Sequence, residues 1–364
     1  MKQVLFLTNF PSPYRVHFFD ELGKNMDVTV LYSDRVEDIT HRNASWFEEG
    51  SGGFHPVQLT RTMAIGEENL CLDVCKWLKK EYDAIVIGGY SSPTAILAMV
   101  YLRLHKIPFY MEVDGGLIRQ ERKIKYLVKK ALVCLANRWL STGEHTTKYL
   151  VHYGAKEERV QHYPFSSLYE ENIRKTLVSP EEKLSLRREL GIEETHMVLA
   201  IGQFIHRKGF DILLQAAAKL PKDVGIYIVG GEVTEEYITM RRELGLSNVN
   251  FLGFQKKDAL AKYYEAADLF TLPTREDIWG LVINEAMAYG LPVITTDRCV
   301  AGLELVEDGV NGYIVPVEDV DALAEKIQAV LSGDLSAMGQ ASLEKIHPYT
   351  LENMAKVHCE ILER

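Results

Sequence analysis

The sequence predicts an α/β fold made of two parallel-sheet domains, and three observations carry that prediction. Short β-branched runs alternate with longer amphipathic stretches, as the strands and covering helices of parallel sheets do. The alternation runs through the first half, lapses into a polar, strand-poor stretch from Ser166 to Thr195, and then restarts. The chain has 364 residues and 47% hydrophobic content. That exceeds one core of ordinary size and suits two domains of ~170 residues each.

In the first half, strands are expected near Val4–Thr8, Val28–Tyr32, Ala84–Gly88, Phe109–Val113 and Trp139–Thr142. Helices are expected at Tyr14–Gly23, Glu67–Lys80, Pro93–Leu104, Glu121–Leu132 and Glu144–Tyr153. Pro93 suits a first helical turn, where its missing N–H costs nothing. One charged helix, Pro180–Leu190, crosses the connector. The second half offers strands near Val198–Gly202, Ile226–Val229, Asn250–Leu252, Leu269–Leu272 and Val293–Thr296. A last helix, Leu351–Leu362, has no strand to pair with and is expected to cross back onto the first domain. The domains are therefore drawn as residues 1–170 with 350–364, and residues 190–345. Open parallel sheets bind ligands beyond the carboxyl ends of their strands, so two such sheets opposed to each other would enclose a deep cleft.

Composition narrows the function classes. The formal net charge of −10 argues against a general nucleic-acid binder, which would be basic. The five cysteines are odd in number and scattered, as reduced thiols in a cytosolic protein are. Cys71 and Cys75 lie four apart inside the expected helix Glu67–Lys80, with no further ligand nearby, and are not assigned a metal. The apolar run Val4–Leu7 is too short for a signal peptide and reads as a first strand. No apolar stretch approaches the ~20 residues that span a bilayer.

Two segments carry the chemistry. In Gly202-Gln203-Phe204-Ile205-His206-Arg207-Lys208-Gly209, a strand ends and a helix begins near Gly209. Three potentially cationic side chains thus stand at a helix N-terminus, where positive charge is unfavourable unless an anion is held among them. The competing reading is a solvated basic turn. In the second, Thr274 to Ile294, Gly280 permits a tight loop and a helix runs to Tyr289, ended by Gly290 and Pro292. First-turn amides around Leu281 and Val282 can receive a phosphate oxygen. Glu285, in the same helix, can accept two hydroxyl hydrogen bonds, as a ribose diol offers; a dipole-favoured helix acid is the alternative.

Together these segments resemble the signatures of glycosyltransferase family 4, retaining enzymes of GT-B architecture: α/β, two facing Rossmann-like doubly wound parallel-sheet domains. The first resembles the family's Gly-x-x-x-x-(Arg)-Lys-Gly turn. The second resembles its Glu–seven residues–Glu motif followed by Ala-Met-Ala-x-Gly-x-Pro-Val. Val249–Phe254, Asn311–Val315 and Asn9–Arg15 add to the likeness, which is dense from Phe204 to Val315 and looser before Phe165. Two positions depart from the pattern. Gln203 stands where a second cation is common, which turns attention to Arg207, His206 or Arg15 as phosphate partners. Asp277 stands where the first acid would be Glu, with Glu276 beside it.

The resemblance implies a retaining transfer of a sugar from a nucleotide-diphosphate donor to a saccharide or lipid-linked saccharide acceptor, in bacterial surface polysaccharide or lipopolysaccharide assembly. It places Lys208 and Arg207 on the diphosphate, Glu285 on the ribose, and Gly280, Leu281 and Val282 along the diphosphate and sugar. Phe204 belongs to the same donor turn, and the backbone around Leu252, Gly253 and Phe254 faces the nucleobase. Asp277 and Lys208 are the catalytic candidates there, with preorganised positive charge on the leaving oxygen as the main stabilisation. No Asp-x-Asp metal signature is seen, and neither a metal nor a cofactor is expected.

In the first domain, Glu112-Val113-Asp114-Gly115-Gly116 follows a strand, so Asp114 is a catalytic or acceptor-contact candidate; Gly88–Ser92 is a second acceptor candidate. Residues 119–138 hold seven basic residues against Glu121, with apolar side chains interleaved. A basic amphipathic helix of this kind can lie on an anionic membrane, which suggests a cytoplasmic enzyme peripheral to the inner membrane face. The competing readings are a nucleotide-sugar epimerase or hydrolase on the same fold, and a non-catalytic protein that binds nucleotide sugars.

Overall fold

The computed structural model describes residues 1–34, 52–66 and 68–364. The chain divides into two compact units, Met1–Tyr169 with Tyr349–Arg364, and Glu170–Pro348.

The first unit contains β1 (Gln3–Thr8), α1 (Pro13–Gly23), β2 (Asp27–Tyr32), β3 (His55–Gln58), β4 (Met63–Ile65), β5 (Glu68–Leu70), α2 (Val74–Trp77), β6 (Ala84–Gly88) and α3 (Pro93–Leu104). It continues with β7 (Tyr110–Val113), α4 (Lys123–Val133), β8 (Arg138–Ser141), α5 (Glu144–His152) and β9 (Val160–His162). Seven parallel strands run in the order β3-β2-β1-β6-β7-β8-β9, and β4–β5 form a separate antiparallel hairpin. Leu5, Leu7, Ile85, Ile87, Met111 and Trp139 build its core. The strands read as near-continuous apolar runs because helices cover both faces of a parallel sheet.

Helix boundaries follow local chemistry. α3 opens with Ser92 as N-cap, its hydroxyl accepting from the Ala95 N–H at 3.1 Å, and with Pro93 in the first turn. The expected helix Glu67–Lys80 is not what forms. Glu67 lies outside the described residues, Glu68–Leu70 is a strand, and only Val74–Trp77 is helical. The Thr94 hydroxyl explains part of this: it accepts from the Cys71 N–H (3.0 Å) and donates to the Asn69 carbonyl (2.6 Å), bonds that a helix would have made internally. Cys71 and Cys75 are therefore not one helical turn apart. β3 was not expected, because its mostly exposed residues, His55–Gln58, carry no alternating apolar pattern.

The second unit contains α6 (Pro180–Leu190), β10 (His196–Ile201), α7 (Phe210–Ala217), β11 (Val224–Val229), α8 (Glu235–Glu243), β12 (Val249–Leu252), α9 (Lys257–Ala266) and β13 (Leu269–Leu272). After these come α10 (Leu281–Ala288), β14 (Val293–Thr296), α11 (Val300–Leu305), β15 (Gly312–Val315), α12 (Val320–Leu331) and α13 (Leu335–Ile346). The six parallel strands run β12-β11-β10-β13-β14-β15, the strand order of a dinucleotide-binding sheet. α6 belongs to this unit: Arg187 donates to the Ala266 carbonyl (2.9 Å) and the Thr195 carbonyl (2.8 Å), and pairs with buried Asp268. A capping box, Ser179 with Glu182, starts α6, and Gly191 at φ 68° ends it.

The last helix, α14 (Leu351–Leu362), packs in the first unit. The Leu351 N–H donates to Leu168 O at 2.7 Å, Lys2 Nζ donates to Glu363 O at 2.6 Å, and the His358 ring lies 4.7 Å from that of Phe18.

Candidate functional site

Each sheet has a switch point where the strand order reverses, between β1 and β6 in one and between β10 and β13 in the other. Ligands of open α/β sheets bind there, beyond the carboxyl ends of the strands. In the second unit the two segments picked out in the sequence are the loops that leave β10 and β13, so the topology places them side by side.

Their side chains meet. Lys208 Nζ lies 2.6 Å from Asp277 Oδ2, and Arg207 Nη1 lies 3.4 Å from the same oxygen. The Lys208 side chain is 12% exposed, and its stem runs along Gly202, where a Cβ would sit 3.3 Å from Cδ and Cε. Arg207 also donates to the Glu276 carbonyl at 2.8 Å. The turn His206–Lys208 is a short 3-10 helix ended by Gly209 at φ 68°; a Cβ on Gly209 would meet Pro273 O at 2.0 Å. Only glycine lets this turn sit against the end of β13.

Three anchors fix the Asp277 loop. Arg275 donates to both carboxylate oxygens of Asp211 (2.8 and 2.6 Å) and to the His206 carbonyl (2.7 Å), tying the loop to the lysine turn. The Thr274 hydroxyl donates to Arg207 O at 2.9 Å. The segment after β14 completes the clamp: Asp277 N–H donates to Arg298 O (2.9 Å) and Val300 N–H to Asp277 O (3.1 Å). Gly280, at φ 105°, turns the chain into α10 where a Cβ would lie 2.9 Å from Cys299 Sγ. Ile283 N–H returns to Gly280 O at 2.9 Å, so the amides of Leu281 and Val282 are first-turn donors of α10.

Glu285 lies half-buried in α10. Its Oε2 accepts from the buried Tyr264 hydroxyl of α9 at 2.8 Å. Burial pushes its carboxyl above the ordinary value; the Tyr264 hydroxyl and Lys257 oppose that rise. The capacity expected for a diol is thus partly taken by the protein.

Other assignments are modified. The Phe204 ring is core, 5% exposed and 5.5 Å from each of Phe210, Tyr237 and Phe251, so only its backbone could meet a donor. Leu252, Gly253 and Phe254 leave the C-terminal end of edge strand β12, and Phe254 is 55% exposed. Among the described residues no hydrogen bond or ion pair joins this segment to Lys208 or Glu285. The sequence does contain an Asp-x-Asp, Asp319-Val320-Asp321. Asp319 caps α12 by accepting from Ala322 N–H at 2.9 Å, and Asp321 pairs with Lys219.

In the first unit, Arg15 is 5% exposed and donates to Glu112 (2.9 Å) and to Asp114. It is committed to that pair, and so is not a spare phosphate partner. Tyr163 donates to Asp114 Oδ1 at 3.0 Å, and His358 Nε2 lies 3.1 Å from Glu112 Oε1. Burial would raise Glu112, but Arg15 and His358 outweigh it and hold the carboxyl down at about 2. Asp114 goes the other way: burial raises it and the Glu112 charge adds, against the pull of Arg15. Of the Gly88–Ser92 segment, Ser92 is taken up as the cap of α3, and the Tyr90 hydroxyl pairs with that of Tyr149.

Sequence reasoning did not single out Arg275 or Tyr264 for the site. Arg275 lies one residue beyond Thr274 in the recognised segment, but only the folded structure shows its partners. Tyr264 looks like any core aromatic until its hydroxyl is placed.

Two α/β units, each built on a parallel sheet, with a cationic turn and an acid loop meeting at the switch point of the second, have the GT-B fold, and GT-B is the fold class of this chain. Residues 182–345 match the family model described as "Glycosyl transferases group 1". A D-inositol 3-phosphate glycosyltransferase of Mycobacterium sp. (strain KMS) is 37% identical over 175 residues, 46% of this chain and 39% of that protein. The chain thus spans about two fifths of the length of that curated relative. Two solved structures match the whole chain. Anabaena Alr3699/HepE in complex with UDP-glucose has a TM-score of 0.74 at 20% identity, covering 100% of this chain and 99% of that one. The lipopolysaccharide outer core galactosyltransferase WaaB has a TM-score of 0.74 at 15% identity, with the same coverage of both chains.

Proposed function

We propose that this protein is a retaining, metal-independent glycosyltransferase that moves a sugar from a nucleotide-diphosphate sugar to a saccharide or lipid-linked saccharide acceptor, in the assembly of bacterial surface polysaccharide or lipopolysaccharide. The observation that carries the reading is the meeting of Lys208, Arg207 and Asp277 at the switch point of the second unit, within the region that matches the family model. Charge that develops on the departing phosphate oxygen is met by Lys208, Arg207 and the first-turn amides of α10, a fixed positive field that needs no reorganisation. Asp277 holds Lys208 in place before the donor arrives and then faces the sugar ring. Glu285 takes the ribose. In the first unit, Asp114 is the acceptor-side carboxylate, oriented by Arg15 and Tyr163.

A thermal-shift screen with UDP, GDP, ADP and dTDP sugars tests the donor site. One donor is expected to raise the melting temperature, by linkage, with about 2.7 kcal/mol of stabilisation at a hundred times its Kd. No shift with any of them would sink the reading. Product analysis with the stabilising donor alone then separates transfer from epimerisation or hydrolysis, and undiminished turnover in EDTA is the expected mark of metal independence.

A peripheral position on the membrane is favoured by α4. This helix of 11 residues buries only Val133 and exposes Ile124 (78%), Leu127 (51%) and Val128 (54%) among Lys123, Lys125 and Lys130. No helix among the described residues is long and apolar enough to cross a membrane, so any attachment through these elements is lateral. Each Lys or Arg near an anionic surface contributes about 1 kcal/mol. The protein is expected to sediment with anionic vesicles and not with neutral ones, and Lys123→Glu with Lys125→Glu should abolish the difference. Equal binding to both vesicle types would count against this placement.

A further inference from the structure

We infer that Tyr264 is a positioning residue for donor binding: its buried hydroxyl holds one oxygen of Glu285 so that the carboxylate meets the donor in a single orientation. The inference rests on the donor-site reading of Glu285.

The geometry is specific. Tyr264 is 2% exposed, and its ring stacks on Tyr289 with centroids 4.9 Å apart and planes 6° from parallel. Phe270 of β13 packs against it as well, tilted at 6.2 Å. The ring is therefore fixed by packing from two elements, and its hydroxyl can reach Glu285 Oε2 at 2.8 Å without loss of further freedom. Among the described residues no other side chain hydrogen-bonds this carboxylate. A half-buried glutamate one turn inside α10 has several rotamers, and a hydrogen bond to a rigid tyrosine selects one. A phenylalanine would pack as well, so packing alone does not account for the hydroxyl. A buried hydroxyl is costly unless bonded, and here its partner is a charge, the stronger kind of hydrogen bond.

The same bond opposes the rise that burial imposes on the Glu285 carboxyl. Of the elements against α10, α9 presents Tyr264 and Lys257, and both favour the carboxylate form. β13 (Leu269–Leu272) and β14 (Val293–Thr296) carry no titratable residue; α11 carries half-buried Glu304, and α13 carries exposed Glu344 and Lys345. Tyr289 stands one turn on in the same segment. Without the Tyr264 hydroxyl, Lys257 alone opposes burial, and the carboxyl is protonated at higher pH.

The test measures binding of UDP, GDP, ADP and dTDP by calorimetry between pH 5 and 8, in the full chain and in Tyr264→Phe, Glu285→Gln and the double variant. Tyr264→Phe is expected to weaken the preferred nucleotide about tenfold at pH 7, to move the acid limb of binding to higher pH, and to leave kcat at saturation within about twofold. Adding Tyr264→Phe to Glu285→Gln should cost nothing further. A carboxyl-carbon NMR titration of Glu285 in the unliganded protein should show a higher midpoint in Tyr264→Phe. If Glu285→Gln weakens binding but Tyr264→Phe changes neither affinity nor acid limb, the positioning role is overturned and the donor reading stands. If Glu285→Gln binds as well as the parent, or no nucleotide binds the parent, the donor reading fails and this inference falls with it.

Discussion

Lys208→Ala is expected to lower kcat by about a hundred- to a thousandfold, the loss typical when one preorganised donor to a developing oxyanion is removed. The lysine is mostly buried beside Gly202, so its ammonium acts in a region of low effective dielectric, where a fixed charge counts for more than in water. The fold should survive, because Arg207 remains 3.4 Å from Asp277 and keeps that carboxylate from standing alone. Lys208→Arg should not restore full activity. A broad planar fork on a three-methylene stem cannot follow the narrow path that Gly202 leaves for a lysine, nor deliver its charge as a point. The measurement is release of nucleoside diphosphate at saturating donor and acceptor, with the melting temperature taken in parallel. Turnover near that of the parent would remove Lys208 from the proposed scheme.

Arg15→Met is expected to cost the first unit about 3–5 kcal/mol, the usual result of breaking a buried pair by removing one partner. Methionine fills similar volume, so the effect is chiefly electrostatic: among the described residues, His358 and Tyr163 would remain as the hydrogen-bonding partners of Glu112 and Asp114. Restoring neutrality with Glu112→Gln and Asp114→Asn should recover much of the loss. Acid should shrink the difference too. Glu112 is depressed from 4.5 to about 2, so its contribution in the parent is present above its unfolded value and is lost as pH falls through that window. Asp114 is raised above 3.8, so it stabilises below its unfolded value and loses that contribution as pH rises through its folded one. Urea unfolding at pH 7 and pH 3 reads both effects. An unchanged midpoint at pH 7 would show that Arg15 does not stabilise the cluster.

Much of the fold was legible because parallel strands, buried on both faces, are written as uninterrupted apolar runs. Ala84–Gly88, Leu269–Leu272 and Val293–Thr296 are such runs, and each forms a strand with those bounds. Helices with strong caps were legible for a related reason: Ser92-Pro93 and Ser179-Pro180 satisfy their own first turns, so local chemistry decides the boundary. The failures occur where a distant group decides. At Asn69–Cys71 the Thr94 side chain takes the backbone bonds and a strand and turn replace the expected helix. At His55–Gln58 an edge position, not an apolar pattern, makes the strand.

The site divides in the same way. Residue types and spacing were enough to mark the glycines and cations of Gly202–Gly209 and the acid-bearing segment from Thr274 to Glu285, because turns, helix starts and charge are properties of neighbouring residues. Which charges touch is not such a property. The pairing of Lys208 with Asp277, the Arg275 clamp, the withdrawal of Arg15 into a buried ion cluster and the hold of Tyr264 on Glu285 all join residues far apart in the chain. They exist only once the sheet order has brought β10 beside β13, and β1 beside β6, since hydrogen bonds and ion pairs act over a few ångströms and the sequence does not encode that distance directly.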